Sequence, residues 1–363
     1  MHGASEVSET TLFPLSSLGP QWSGVIQDAR VLQPEFIPKE VAHRDAEVNH
    51  LSRTLEPLTT DGFPETPLLL GPSGTGKTCI ARFTVDRLRE AVLELEYQYV
   101  NCWQDYTRFR LLYRLLDGIG QTLDIHRRST PKDELLDRLH AYEGKPYVVI
   151  LDEVDQLEST DVLYDLHRIN GVHPILIANR EVDLFSRLDD RVRSRFQSSV
   201  RIQFDRYGTE ELMAILSDRV RWGLDDGVID REALRYIAEA AAGDARVSIG
   251  ILRTAAREAQ SQGLDHIPMA VVKSAVPEGK SELKRKDLEK LTPHQHVVYE
   301  IIAEADRVSP GDLYDSYRAR VDDPKTKRTI RNYCSKLEQY NLIRAEGQKR
   351  GRRYRLAARA PEP

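Results

Sequence analysis

Residues 71–78 read Gly-Pro-Ser-Gly-Thr-Gly-Lys-Thr, between the apolar run Pro67 to Leu70 and a stretch from Cys79 to Leu95 with helical apolar spacing. A loop with three glycines between a strand and a helix curls so that successive backbone N–H groups point at one centre. The helix that follows adds the positive end of its dipole, so the concavity suits phosphate oxygens. Lys77 has the reach for the outer phosphates of a nucleotide, and Thr78 has the hydroxyl for its Mg²⁺. Gly71, Pro72, Ser73, Gly74, Thr75, Gly76, Lys77, Thr78 and Cys79 are therefore the candidate nucleotide-binding residues, and their setting demands an α/β domain.

Strand candidates at Pro67 to Leu70, Glu96 to Asn101, Tyr147 to Leu151, Pro174 to Ala178 and Val200 to Phe204 alternate with helical stretches, which argues for a parallel sheet covered by helices on both faces. A chain of 363 residues exceeds one ordinary domain and suits two or three. The polar, aperiodic residues 1–25 read as a flexible tail, 26–206 as the nucleotide domain, 207–280 as a small helical lid and 281–363 as a separate domain. An amphipathic pattern from Val41 to Leu55 reads as the helix leading into the nucleotide domain, and Pro277 to Leu288, rich in Glu, Lys and Ser, reads as a linker. No apolar run approaches the roughly 20 residues of a membrane span. Cys79, Cys102 and Cys334 have no metal-ligand spacing, and with no signal-peptide pattern they predict reduced thiols and a cytoplasmic, nucleoid-associated protein.

The buried-strand pattern Tyr147 to Leu151 ends in Asp152-Glu153, at the edge where ligands of open α/β sheets sit. Asp152 suits Mg²⁺, and Glu153 suits orienting or deprotonating the attacking water. Asn179, after the next strand, either orients that water or simply ends the strand. Arg191, Arg193 and Arg195 stand close together, and one of them either serves as a finger in a neighbour's ATP site or belongs to a solvated basic loop.

The order of these motifs resembles the AAA+ ATPases and, within them, the archaeal replication initiators related to the large subunit of the eukaryotic origin recognition complex and to the cell-division-cycle helicase loader. The residues that carry it are Phe36-Ile37-Pro38 with His43-Arg44, the phosphate loop, Val100-Asn101-Cys102, Leu151 to Asp155 and Asn179, then Arg191 to Phe196, Phe204 with Tyr207 and Glu211, and Gly243 to Arg246. The resemblance implies that Asp152-Glu153 is the Walker B pair, Asn179 the first sensor and Arg246 the second sensor, a cation brought onto the phosphates by the lid. It also implies nucleotide contacts from Ile37, Arg44, Tyr207 and Arg219. With these roles, the resemblance implies that Lys77, Asp152, Glu153, Asn179 and Arg246 form the catalytic set of a weak Mg-dependent ATPase that switches between ATP and ADP states. Val247-Ser248 depart from the family's usual lid pattern.

The net charge of −5 is unevenly spread: residues 281–363 hold 19 Lys and Arg against 13 Asp and Glu, leaving 33 against 44 elsewhere. A basic C-terminal part suits a polyanion. Thr326 to Gln339 puts Ile330, Cys334 and Leu337 on one helix face and Lys325, Lys327, Arg328, Arg331, Asn332, Ser335 and Lys336 on the other, as a recognition helix requires. Strands at Leu342 to Ala345 and Tyr354 to Leu356 would flank a tip carrying Lys349, Arg350, Arg352 and Arg353, which makes a winged helix that binds DNA, or a solvated basic hairpin in a protein-binding one. By resemblance, a second DNA element lies in Tyr106 to Arg128, with Arg108, Arg110, Arg114, Arg127 and Arg128 exposed; by pattern alone it is an ordinary amphipathic helix. The function expected is an ATP-dependent initiator that binds double-stranded origin DNA, associates with itself or a paralogue there, and recruits or loads the MCM helicase. A DNA-bound regulator that uses ATP as a ligand, or a remodelling motor, shares the nucleotide motifs.

Overall fold

The computed structural model describes residues 24–60, 62–92, 94–126, 130–347 and 351–357. Five strands, β1 (Pro67–Leu70), β2 (Glu96–Asn101), β3 (Tyr147–Asp152), β4 (Val172–Ala178) and β5 (Val200–Gln203), form one parallel sheet in the order β2-β3-β4-β1-β5. Strand β3 is buried at every position, which is why it reads as a continuous apolar run and not an alternating one.

Helices α1 (Asp45–Leu55) and α2 (Lys77–Ala91) cover one face, where Leu51, Leu55, Ile80 and Val85 meet Leu69, Val148, Ile150 and Ile177. Helices α3 (Arg108–Gly118), α4 (Lys132–His140), α5 (Asp161–His167), α6 (Glu181–Phe185) and α7 (Asp190–Phe196) lie on the other side, with Leu111, Leu115, Leu139 and Leu163 against Leu68, Val149 and Leu151. Helix α1 begins at Asp45, four residues after the apolar pattern starts.

The lid is helical throughout: α8 (Thr209–Gly223), α9 (Arg231–Ala241), α10 (Ala245–Ser261) and α11 (Met269–Glu289). The expected linker from Pro277 to Leu288 is a correction. It is the second half of the 21-residue α11, which also crosses the expected boundary at residue 280. Its Gly279 lets α11 approach α10 so closely that an added Cβ would lie 2.9 Å from the Cα of Ile251. The Gly and Pro that suggest a linker by composition therefore serve a helix crossing.

The C-terminal domain comprises α12 (Pro293–Glu304), α13 (Pro310–Arg320), α14 (Lys327–Gln339) and the antiparallel pair β6 (Ile343–Glu346) and β7 (Arg353–Leu356), with Val308 bridging to Tyr354. Three helices with a hairpin after the third make a winged helix. Thr326 caps α14, its side-chain oxygen accepting the N–H of Thr329, so the helix starts where a threonine before an apolar-periodic run predicts. One residue of this domain's core comes from elsewhere: Trp103, on the loop after β2, is 1% exposed among Ile330, Leu337 and Tyr340. Among the described residues no helix is long and apolar enough to cross a membrane.

Candidate active site

A cleft of about 340 Å³ opens where the carboxyl ends of β1, β3 and β4 meet the lid. It is lined by Ser73 to Cys79, Asp152, Glu153, Asn179, Tyr207, Arg219 and Arg246, with Phe36, Ile37 and Pro38 from the segment before α1. Loop geometry follows from the glycines: Gly74 and Gly76 have φ of 80° and 94°, a region that a side chain resists. An added Cβ on Gly74 would collide with the Asp244 carboxylate at 1.9 Å.

Lys77 is 7% exposed, and its ammonium donates to the carbonyls of Gly71 at 2.6 Å and Pro72 at 2.8 Å and to Asn179 Oδ1 at 3.2 Å. Burial brings it down to about 8, with Asp152 opposing and Arg246 reinforcing the shift. Gly71 and Pro72 thus face the lysine through their carbonyls and do not line the cleft. Thr78 Oγ1 donates to Asp152 Oδ2 at 2.7 Å, and the same oxygen accepts from the Tyr99 hydroxyl at 3.0 Å. A hydroxyl and a carboxylate brought together beside a phosphate loop form the hard-oxygen donor set that Mg²⁺ requires. Tyr99 was not evident in the sequence; its signal is its place two residues before Asn101, on the strand paired to β3.

Glu153 leaves the end of β3 in the left-handed conformation, φ 58°, an uncommon position for a side chain of this length. Burial pushes its carboxyl up to about 7, against the attraction of Lys336.

The lid's contribution starts at Gly243, φ 84°, and at Asp244, whose Oδ1 caps α10 by accepting the N–H groups of Arg246 and Val247. The N–H of Ala245 donates to the Gly74 carbonyl at 3.0 Å, tying the lid helix to the phosphate loop. This aims Arg246 at the cleft, 3.5 Å from Asp244 Oδ2. Burial works against the Arg246 charge, but Asp244 and Asp287 hold the guanidinium above its ordinary value. Arg219 donates to the Val31 and Phe36 carbonyls and lies over the Phe36 ring, so it fixes the wall formed by the segment before α1.

Arg44 departs from expectation. Its guanidinium is bonded to Glu47 at 2.6 Å and to the Asp205 carbonyl at 2.6 Å and lies 4.1 Å from the Tyr207 ring centroid. It supports Tyr207 from behind and does not line the cleft.

Arg191, Arg193 and Arg195 all sit on α7, outside the cleft. Arg191 is 3.4 Å from Asp189, and Arg193 donates to the carbonyls of Phe185 and Leu188. Arg195 is exposed beside His167 and, among the described residues, its guanidinium has no hydrogen bond or ion pair.

On α14, Lys327, Arg328, Arg331, Asn332 and Ser335 are exposed on one face. Lys325 is held by Asp323 at 2.7 Å, Arg352 pairs with Glu338 at 3.0 Å, and Arg353 is exposed. Lys336 corrects the expectation of a displayed basic residue: it is 2% exposed, its ammonium 3.3 Å from the Trp103 ring centroid. Arg127, Arg128, Lys349 and Arg350 lie outside the described residues. In the Tyr106 to Arg128 segment, Arg108 pairs with Asp165 and Arg114 with Asp105, while Arg110 donates to the Gln104 carbonyl.

Two family models match the chain, one described as an AAA domain over residues 65–185 and one as a Cdc6 AAA+ ATPase-type lid domain over residues 213–276. The ORC1-type DNA replication protein 9 of Halobacterium salinarum is 53% identical over 332 residues, 92% of this chain and 94% of that protein. The chain belongs to the ORC1-type DNA replication proteins. Its fold is that of the AAA+ ATPases with a winged helix appended. The Aeropyrum pernix ORC1 protein in complex with DNA matches with a TM-score of 0.73 at 26% identity, over 92% of this chain and 94% of that one. The Aeropyrum pernix ORC2 protein in its ADPNP–ADP complexes matches at 0.62 and 25%, over 93% and 95%. Membership of this ORC1-type family explains why a phosphate loop, a lid cation and a basic winged helix occur in one chain.

Proposed function

We propose that this protein is an ATP-controlled replication initiator that binds origin duplex DNA and helps recruit or load the MCM helicase. The observation that carries the reading is the closure of one cleft by three parts of the chain: phosphate loop, Walker-type carboxylates and a lid arginine, with a basic recognition helix on the domain packed beside them.

Thr78 and Asp152 are the residues that would hold Mg²⁺, which, when bound, neutralises phosphate charge and fixes the terminal phosphate. Lys77 and Arg246 bring two cations to the same place, Asn179, whose Oδ1 accepts from Lys77, orients the attacking water, and Glu153 is the base that takes its proton. Hydrolysis in this reading is slow and serves to change state. Of the arginines on α7, Arg195, whose guanidinium has no hydrogen-bond or ion-pair partner among the described residues, is the one offered to the ATP site of a second copy or a paralogue. Exposed Lys327, Arg328, Arg331 and Asn332 would enter the major groove, and Arg353 beside the wing would reach phosphate. The DNA-bound Aeropyrum relative supports the DNA-binding part, and the name of the Halobacterium relative supports a role in DNA replication.

Footprinting and gel-shift titrations against origin and random duplexes, over a salt series and with ATP or ADP, test the reading. Tighter origin binding that depends on the nucleotide is expected, and equal affinity for both duplexes in every nucleotide state would reject it.

A further inference from the structure

Helix α14 has two separate jobs along its length. Ile330, Cys334 and Leu337 face the core of its own domain, and Arg328, Arg331 and Asn332 face solvent. Its last turn leaves that domain: Gln339 Nε2 donates to Asp183 Oδ2 on α6 at 2.9 Å, and the Lys336 ammonium covers the Trp103 ring. Tyr340, the residue that ends the helix, packs edge-on against Trp103, ring centroids 4.2 Å apart at 73°. Its hydroxyl donates to Glu153 Oε1. The other oxygen of that carboxylate is buried and has no hydrogen-bond partner among the described residues.

A general base works by accepting a proton from water on a free lone pair, with the carboxylate turned toward the reacting phosphate. Here the hydroxyl occupies one oxygen and fixes the direction of the carboxylate, while the buried second oxygen is closed to water, so neither is offered to an attacking water. The donor here comes from 187 residues away in sequence, on the domain that carries the recognition helix. Among the described residues, Lys77, Thr78, Asp152 and Asn179 find their hydrogen-bonded partners within the nucleotide domain, and Arg246 is paired with Asp244 of the lid, with Tyr340 also acting on its charge.

We propose that Tyr340 is a positioning residue for Glu153: by bonding the carboxylate while the winged helix is seated on Trp103, it holds the hydrolytic site idle. Release of the last turn of α14 frees the base, so the seating of the DNA-binding domain sets the rate of ATP turnover. This rests on the assignment of Glu153 as the base.

The full-length protein is assayed for steady-state ATP hydrolysis with saturating Mg-ATP, as wild type, Tyr340→Phe, Glu153→Gln and the double variant. Phenylalanine keeps the ring against Trp103 and removes only the donor. The expected result is a kcat for Tyr340→Phe raised about five-fold, the worth of one hydrogen bond, with KM for ATP within two-fold of wild type. The double variant should be as inactive as Glu153→Gln, because Tyr340 acts only through that carboxylate. A thermal melt establishes that each variant is folded. If Tyr340→Phe lowers its Tm, emission of Trp103 in a Trp22→Phe, Trp222→Phe background reports whether the domain is still seated, and Gln339→Ala, which loosens the same turn without touching Glu153, must also raise kcat. An unchanged or lowered kcat in folded Tyr340→Phe, with Glu153→Gln inactive, overturns the inference alone. Wild-type turnover by Glu153→Gln overturns the assignment of the base itself.

Discussion

In the proposed reading, Lys77 is the residue on which nucleotide binding depends most directly. Its ammonium is buried, so it is kept charged by the carbonyls of Gly71 and Pro72 and by Asp152, and those partners also point it into the loop. Lys77→Ala removes charge-assisted bonds worth about 2–3 kcal/mol, so ATP affinity should fall roughly 30- to 150-fold in isothermal titration or a fluorescent-nucleotide assay. Affinity within a few-fold of wild type would mean that the backbone N–H groups bind alone. A second residue-scale effect concerns stability. His173 on β4 is pushed down to about 4 by burial. Its folded value lies below the ordinary 6.5, so the unfolded chain takes the proton first. The resulting stability is complete above about pH 6.5 and is lost as pH falls toward 4; it amounts to about 2 kcal/mol by pH 5. Urea melts at pH 7.5 and pH 5 should show the gap between wild type and His173→Gln narrowing by that amount, and a constant gap would rule the effect out.

At the scale of elements, what was readable from sequence is what needs only local chemistry. Strands β1, β3 and β4 are short apolar runs and β2 and β5 mix apolar with polar residues, and the register of β2 on β3 then sets Asn101 beside Asp152. Phosphate loop and α2 are contiguous, so their roles follow from spacing alone. Helix α11 was not readable: Pro277, Gly279 and the charged residues after them satisfy the composition of a linker, and only the packing of α10 reveals why a glycine is needed. Gly279→Ala gains up to about 1 kcal/mol of helix propensity but forces a methyl to within 2.9 Å of the Ile251 backbone, an overpacking cost of about 1–3 kcal/mol. The contact should win, because backbone cannot rotate away as a side chain does. A lower midpoint in chemical denaturation is expected, and a rise would show that the helices separate at little cost.

The whole molecule adds what no local pattern carries. Arg44 was expected at the nucleotide from the family resemblance and Lys336 on the displayed basic face from its helical run; both are used in cation–π contacts, with Tyr207 and Trp103, between segments far apart in sequence. The same long-range packing leaves the exposed face of α14 free while its last turn is seated on the nucleotide domain, so the face proposed for DNA and the turn proposed to set ATP turnover lie on different sides of one helix. Arg331, exposed and not part of the seated turn, separates the two. If it meets phosphate, Arg331→Ala should weaken binding to all duplexes and reduce the slope of log K against log salt by about 0.9; if it reads a base, the loss of about 1–3 kcal/mol should fall on origin DNA alone with the slope less changed. Basal ATPase without DNA should stay at the wild-type rate in either case, because Arg331 lies outside the cleft and outside the turn that holds Glu153. Gel shifts at several salt concentrations, alongside a DNA-free ATPase assay, decide between them. A variant that binds DNA as wild type does would take α14 out of the interface, and a changed basal ATPase would show that its two faces are not independent.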